Sequence, residues 1–174
     1  MNQIRNLKVT IFGGTGFIGR HLIKYLCNNE CIIKVPTRNP AKAYFLQPLG
    51  DVAQISAVKF DLSDNKKLKN LIEESDIIIN LIGILFEKKK NDFQEVHYNF
   101  VKQLVNNISS EKKTFIQLSA LGVNKCKNSL YAKSKFDAEK YIQKKLKRYL
   151  IIRPSIIFGP EDNFFNKFAQ MSLI

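Results

Sequence analysis

The chain has 174 residues, 45% hydrophobic and 25% charged. These values suit one globular domain and exclude disordered or collagen-like classes. It carries 28 Lys and Arg against 15 Asp and Glu, a formal charge of +13. The lysines are scattered over a Lys-rich background, with no aromatic-interleaved basic stripe, which argues against nucleic acid as a partner.

In chain order, Leu7–Phe12 reads as a strand that stops at Gly13. Phe17–Asn28 has helical spacing, with Phe17, Ile18, Leu22, Ile23 and Leu26 as its apolar positions. Cys31–Val35 is a second strand closed by Pro36, and Ala57–Phe60 a third. Lys66–Glu74 is an amphipathic helix bearing Leu68, Leu71 and Ile72. Asp76–Ile82 is a fourth strand, apolar on both faces as a central parallel strand should be. A long helix over Phe93–Ile108 precedes a fifth strand, Thr114–Ser119. A helix over Tyr131–Lys147 then leads to a sixth strand, Tyr149–Arg153, ended by Pro154. The tail exits through Ile156–Pro160 into a helix over Phe164–Leu173, whose Phe164, Phe165, Phe168 and Met171 want partners. This alternation predicts an α/β fold: a Rossmann-type doubly wound parallel sheet of about six strands, helices on both faces, as one domain over residues 1–174.

Cys27, Cys31 and Cys126 form neither an even secretory framework nor a zinc ligand set, and read as reduced thiols of a cytosolic-type compartment. Met1–Leu7 is too polar for a secretory signal, and Ile77–Phe86 is too short to cross a membrane. The expected localisation is cytoplasmic, with peripheral membrane contact left open.

Gly13, Gly16 and Gly19 fall at G-x-x-G-x-x-G spacing between the first strand and the first helix. Gly13 permits a tight turn, Gly16 lets backbone N–H groups approach a pyrophosphate, and Gly19 lets the helix pack close to the sheet. Thr15, Phe17 and Ile18 complete this cofactor-binding turn. After the second strand stands Thr37-Arg38-Asn39, with no acid for a ribose hydroxyl. Arg38 can instead pair with a 2′-phosphate, so NADP(H) is expected over NAD(H). Asp61-Leu62 follows the third strand, where the carboxylate can accept from an adenine amino group. A helix cap is the alternative use of this stretch, and Ser63 or Asp64 serve it equally well. Asn80 and Gly83 sit where the fourth strand ends and backbone must pass close to a cofactor ribose.

Ser119 closes the fifth strand, and Tyr131 and Lys135 form a Y-x-x-x-K on one face of the following helix. An unperturbed tyrosine is a poor base at neutral pH, but a nearby ammonium, helped by an oxidised nicotinamide, favours its phenolate. The phenol can then exchange a proton with a substrate oxygen that Ser119 also hydrogen-bonds.

Together the glycine turn, Asp61-Leu62, Ser119 and Tyr131-x-x-x-Lys135 resemble the extended short-chain dehydrogenase/reductases. Gly13–His21, Ser119–Gly122 and Arg153–Phe165 look like their atypical branch, which contains the nucleotide-binding accessory subunit of respiratory complex I and its bacterial relatives. The resemblance implies a complex I-associated subunit or assembly factor that holds NADP(H) structurally on a peripheral respiratory arm. An active oxidoreductase or nucleotide-sugar epimerase/dehydratase using Ser119, Tyr131 and Lys135 is the alternative. The epimerase motif N-V-x-G-T is replaced by His97-Tyr98-Asn99-Phe100-Val101, which weakens the epimerase reading and leaves His97 as a site residue or a helix-surface histidine. Family chains continue through a seventh strand and a substrate lid that are missing here. A half-built pocket or a non-functional truncated chain is therefore a further expectation.

Overall fold

A computed structural model describes residues 5–126, 128–159, 161–162 and 171. Six strands form one parallel sheet: β1 (Lys8–Phe12), β2 (Ile32–Thr37), β3 (Ile55–Lys59), β4 (Ile77–Asn80), β5 (Thr114–Leu118) and β6 (Tyr149–Ile152). Their order is β3-β2-β1-β4-β5-β6. The chain winds outward from β1 to β3, returns to β4 beside β1, and winds out again. Loops leaving β1 and β4 therefore part to opposite sides, which opens a crevice at the carboxyl ends of the strands. Register places Phe12 opposite Asn80 and Asn80 opposite Gln117, so the three central strands end level.

Helix α1 (Phe17–Cys27) and a 3₁₀ helix (Pro40–Leu49) cover one face. Ile23, Leu26, Cys27, Ala43 and Leu46 pack there on Val9, Ile11, Ile33, Val35 and Ile79. Burial pushes the Cys27 thiol up to about 11, so it stays protonated and behaves as a small hydrophobe. Helices α2 (Asn65–Glu73), α3 (Phe100–Asn107) and α4 (Leu130–Lys145) cover the other face. Their Leu68, Leu71, Ile72, Val101, Leu104 and Ile142 meet Phe12, Ile78 and Phe115. Ile78 and Ile79 of β4 thus enter opposite cores, as two-sided burial of a central strand requires.

Two local expectations are corrected, and one segment left unassigned takes a regular form. Pro36 lies inside β2 and does not close it. Ile32 donates its N–H toward β1 and Ile33 toward the β3 side, so Pro36 turns its missing N–H toward β1, whose pairing has already ended at Lys34. The segment Pro40–Leu49, which shows no helical period, forms the 3₁₀ helix, with the Asn39 side chain accepting from Lys42 N–H at its start. The long helix expected over Phe93–Ile108 opens with a π-helical turn at Gln94–Asn99 before becoming α3. The helix expected over Phe164–Leu173 lies outside the described residues except for Met171, which is exposed.

Candidate dinucleotide-binding site

The turn after β1 is built by glycine. Gly13 has φ +80°, and a Cβ there would sit 3.1 Å from backbone atoms of Leu81 and Ile82 leaving β4. A Cβ on Gly19 would lie 2.4 Å from the carbonyl oxygen of Gly14. The Gly16 N–H donates to Gly13 O at 3.1 Å, and Gly16 then starts α1 in extended conformation with no side chain capping the helix. An uncapped helix N-terminus facing a cleft is a site for an anion. Thr15 lies within this turn, between Gly14 and Gly16.

Beside the turn opens a cavity of about 710 Å³. Gly13 and Gly16–Gly19 form one wall, with Phe17 and Ile18 among them. The exits of β4 (Leu81, Gly83–Leu85), β5 (Leu118–Leu121) and β6 (Pro154–Ile157) form the others, and Tyr131 and Lys135 project from α4. The structure thus brings Gly13, Gly16, Gly19, Gly83, Ser119, Tyr131 and Lys135 to one cavity. Asn80 does not line it. Its side chain is buried between Gln117, to which Nδ2 donates at 3.0 Å, and the Ile82 N–H, which donates to Oδ1 at 3.1 Å. Asn80 therefore sets the path of the loop that carries Gly83.

Ser119 is 5% exposed, and its hydroxyl has no hydrogen-bond partner among the described residues. A buried hydroxyl in that state is costly unless something arrives to pair with it. Lys135 Nζ donates to Leu118 O at 3.3 Å and lies 5.6 Å from the Tyr131 ring centroid. Burial lowers its pKa to about 8, against a smaller opposing pull from Glu139. For Tyr131, burial raises the pKa. Without a bound cofactor, burial thus favours the neutral phenol, with the Lys135 ammonium 5.6 Å from the ring centroid. Tyr131 stands as a neutral phenol, a proton donor.

A second cavity of about 270 Å³ lies at the carboxyl ends of β2 and β3, lined by Arg38, Lys59, Phe60, Asp61, Asp64 and Lys67. Asp64 caps α2 by accepting from Lys67 N–H at 3.0 Å, so the cap does not consume Asp61. Asp61 accepts from the N–H and hydroxyl of Ser63 at 3.0 and 2.6 Å. These bonds, with a lesser pull from Arg38, hold its carboxyl below the usual range. Leu62 packs on the core of the α2 face.

Several residues of this site escape sequence reasoning. His97 is not a surface histidine: it is 2% exposed in the π-helical turn. Its ring stacks on Phe93 and meets Tyr131 edge-on, with centroids 5.5 and 5.3 Å away. Ile84 N–H donates to its Nε2 at 3.0 Å, so the neutral ring carries its proton on Nδ1, which donates to Ser134 Oγ at 3.0 Å. Ser134 in turn donates to Tyr131 O at 2.9 Å. Burial, then repulsion from Lys135, lowers the His97 pKa to about 4. Glu139 is wholly buried on α4 and takes both arms of Arg153, at 3.0 and 2.5 Å, which fixes the exit of β6. Nothing in a one-dimensional pattern separates these polar positions from ordinary helix-surface charge. The missing epimerase Asn at His97 was the one available signal.

The family described as NAD(P)H-binding matches residues 13–163. Subunit 9 of the mitochondrial NADH dehydrogenase [ubiquinone] 1 alpha subcomplex from Dictyostelium discoideum is 31% identical over 171 residues, covering 98% of this chain and 48% of that protein. The subunit of the same name from Mus musculus is 31% identical over 172 residues, covering 97% and 45%. The chain thus spans about half the length of the curated relatives it matches. Among solved structures, a putative NAD-dependent epimerase/dehydratase from Bacillus halodurans superposes with TM-score 0.77 at 17% identity, covering 91% of this chain and 74% of that one. At that identity the likeness shows the fold.

Proposed function

The chain belongs to the NAD(P)H-binding family, and from that premise we propose that it holds NADP(H) along the carboxyl ends of the strands as a structural subunit of a respiratory complex. The glycine cradle carries this reading: Cβ atoms at Gly13 and Gly19 would strike the backbone of Leu81, Ile82 and Gly14, so glycine is what allows the tight β1–α1 turn that leaves the α1 N-terminus uncapped. On this reading Gly13, Thr15, Gly16, Phe17, Ile18 and Gly19 surround the pyrophosphate. Asp61 and Leu62 receive the adenine, Arg38 pairs with the 2′-phosphate, and Gly83, Tyr131 and Lys135 border the nicotinamide ribose, with Asn80 holding the loop that carries Gly83. Lys59 and Lys67 share the cavity of Arg38 and, with Asp61 and Asp64 opposing them, leave its lining net positive.

A respiratory association is supported by the complex I names of the relatives and by coverage of nearly all of this chain. Among the described residues no helix is long and apolar enough to cross a membrane, so docking through protein partners at the peripheral face is the arrangement proposed.

The test is fluorescence titration with NADPH and NADH. NADPH is expected to bind more tightly, and Arg38→Ala to weaken NADPH about tenfold while leaving NADH within about twofold, since one lost charge-assisted pair is worth roughly that factor. Absence of binding by both overturns the proposal, and preference for NADH removes the role given to Arg38.

A second reading rests on the unpartnered Ser119 hydroxyl: an oxidoreductase using Ser119, Tyr131 and Lys135. The nicotinamide supplies the redox equivalent when bound. Ser119 would hold a substrate oxygen, the neutral Tyr131 phenol would donate its proton to it, and Lys135 would restore that proton. A substrate-dependent change in reduced-nicotinamide absorbance, lost in Tyr131→Phe, is the expected signature of this reading.

A further inference from the structure

Residues 81–93, 119–126 and 153–159 leave the carboxyl ends of β4, β5 and β6. Their outward side chains are of two kinds. Leu85 and Phe86 are 80% and 65% exposed, Leu121 67% and Ile156 58%. Leu85, Leu121 and Ile156 border one cavity, which sets the three loops side by side. Lys88, Lys89 and Lys90 follow Phe86 closely, Lys125 follows Leu121, and all four are exposed. The only carboxylates in these three stretches are Glu87 and Asp92.

Both carboxylates turn onto the backbone of their own loop. The Lys88 and Lys89 N–H groups donate to Asp92 Oδ2 at 2.9 and 2.8 Å, and the Phe93 N–H donates to Glu87 Oε1 at 3.0 Å. The Asp92 N–H donates to Lys89 O at 3.2 Å, and the Ile84 N–H is held by His97 Nε2. Asn91 turns the chain at φ +69°, a left-handed conformation that Asn adopts more readily than most residues. The loop after β4 is therefore a braced finger. Its amides are largely paired within the chain, its acids face inward, and Leu85, Phe86 and three lysines face out.

Large apolar side chains held together in water mark an interaction surface. Lipid fits this one better than a protein strand or helix. A partner that bonds to backbone would find these amides taken, whereas a bilayer interface favours a backbone already paired. Lysine stems are long enough to keep ammonium groups at phosphate level while the neighbouring Leu85 and Phe86 go deeper. The excess of lysine over acid selects an anionic surface.

We infer that the loop after β4, with Leu121 and Ile156 beside it, docks on an anionic phospholipid surface, Leu85 and Phe86 entering the acyl boundary and Lys88, Lys89 and Lys90 meeting the phosphates. This contact adds a lipid anchor to docking through protein partners, and it does not require bound cofactor.

The chain contains no tryptophan, so Phe86→Trp in the whole chain places a single indole at the tip of the finger. Vesicles of phosphatidylcholine with phosphatidylglycerol should shift its emission to the blue, and lipids brominated on the acyl chain should quench it. Phosphatidylcholine alone should do neither. In vesicle sedimentation of the otherwise unaltered chain, Lys88, Lys89 and Lys90 changed together to Gln should weaken binding about a hundredfold. The same change at Lys140, Lys144 and Lys145, exposed on α4, should alter it less than about threefold. Leu85→Ser should weaken binding about tenfold. Melting temperatures within a few degrees of the parent chain verify that each variant folds. Binding without quenching by brominated lipid, or equal losses from the two lysine triples, would reduce the effect to general attraction by a chain of charge +13 and overturn the inference. An indole already blue-shifted without lipid in a self-associated chain would give this face to a second copy and overturn it equally.

Discussion

His97 shows what one residue does when a helix is widened to admit it. The π-helical turn carries its ring inward, where Phe93 and Tyr131 flank it and both nitrogens are used. Protonating Nε2 would break the bond from Ile84 N–H and set a cation against Lys135. The folded pKa is about 4 against an ordinary 6.5. Between those values the unfolded chain binds a proton that the folded chain refuses, so stability is full above pH 6.5 and is lost as pH falls toward 4. The full loss is about 3 kcal/mol. Urea unfolding at a series of pH values should show this slope, and His97→Gln should flatten it while lowering stability at neutral pH. A wild-type slope unchanged by the substitution would show that His97 is not the titrating group. The sequence marked His97 only as a departure from the epimerase motif. Its burial follows from a local widening of the helix, which no 3.6-residue period reveals.

Among the elements, the strands and the apolar faces of the helices were legible because parallel strands buried on both sides need continuous apolar runs, and helices that cover them need a stripe. β4 and α2 match their patterns to within a few residues for that reason. The 3₁₀ helix was not legible: Pro40 and Pro48 break any helical period, and its hold comes from tertiary burial of Ala43 and Leu46. The buried face of α4 was not legible, because it includes Ser134, Lys135 and Glu139 alongside Ala132, Ala138 and Ile142. Glu139 is affordable there only through Arg153, whose bidentate grip joins α4 to the β6 exit and so to the loop Pro154–Ile157 of the cavity. Removing Arg153, itself partly exposed, leaves the buried Glu139 carboxylate uncompensated. Arg153→Ala is thus expected to cost about 3 kcal/mol and to weaken ligand binding at the main cavity, while Arg153→Met with Glu139→Leu together should cost much less. Equal losses in the single and double variants, by chemical denaturation, would mean that the pair does not act as a unit.

For the molecule as a whole, the two cavities lie on either side of the reversal point between β1 and β4, one against β2 and β3 and the other against β4, β5 and β6. A dinucleotide long enough to reach both would tie the two halves of the sheet together, whereas its adenosine end alone would brace only the β2–β3 half. The positive charge of +13 acts over the same distance: it raises affinity for any multiply anionic ligand at low salt, without selecting one. Two effects can therefore be told apart by fragment and by salt. At a hundredfold excess over its dissociation constant, NADPH should stabilise the chain by about 2.7 kcal/mol, which for a domain of this size raises Tm by roughly 5–10 °C. The fragment 2′,5′-ADP carries the Arg38-directed phosphate but cannot reach Ser119, Tyr131 or Lys135. At an equal concentration it should give a distinctly smaller shift, and one that fades more steeply between 50 mM and 500 mM salt because phosphate contacts make up a larger share of its binding. Differential scanning fluorimetry measures both. Equal shifts for NADPH and 2′,5′-ADP at every salt concentration would mean that the bound ligand never reaches the β4–β5–β6 cavity, and that the two cavities do not form one cofactor site.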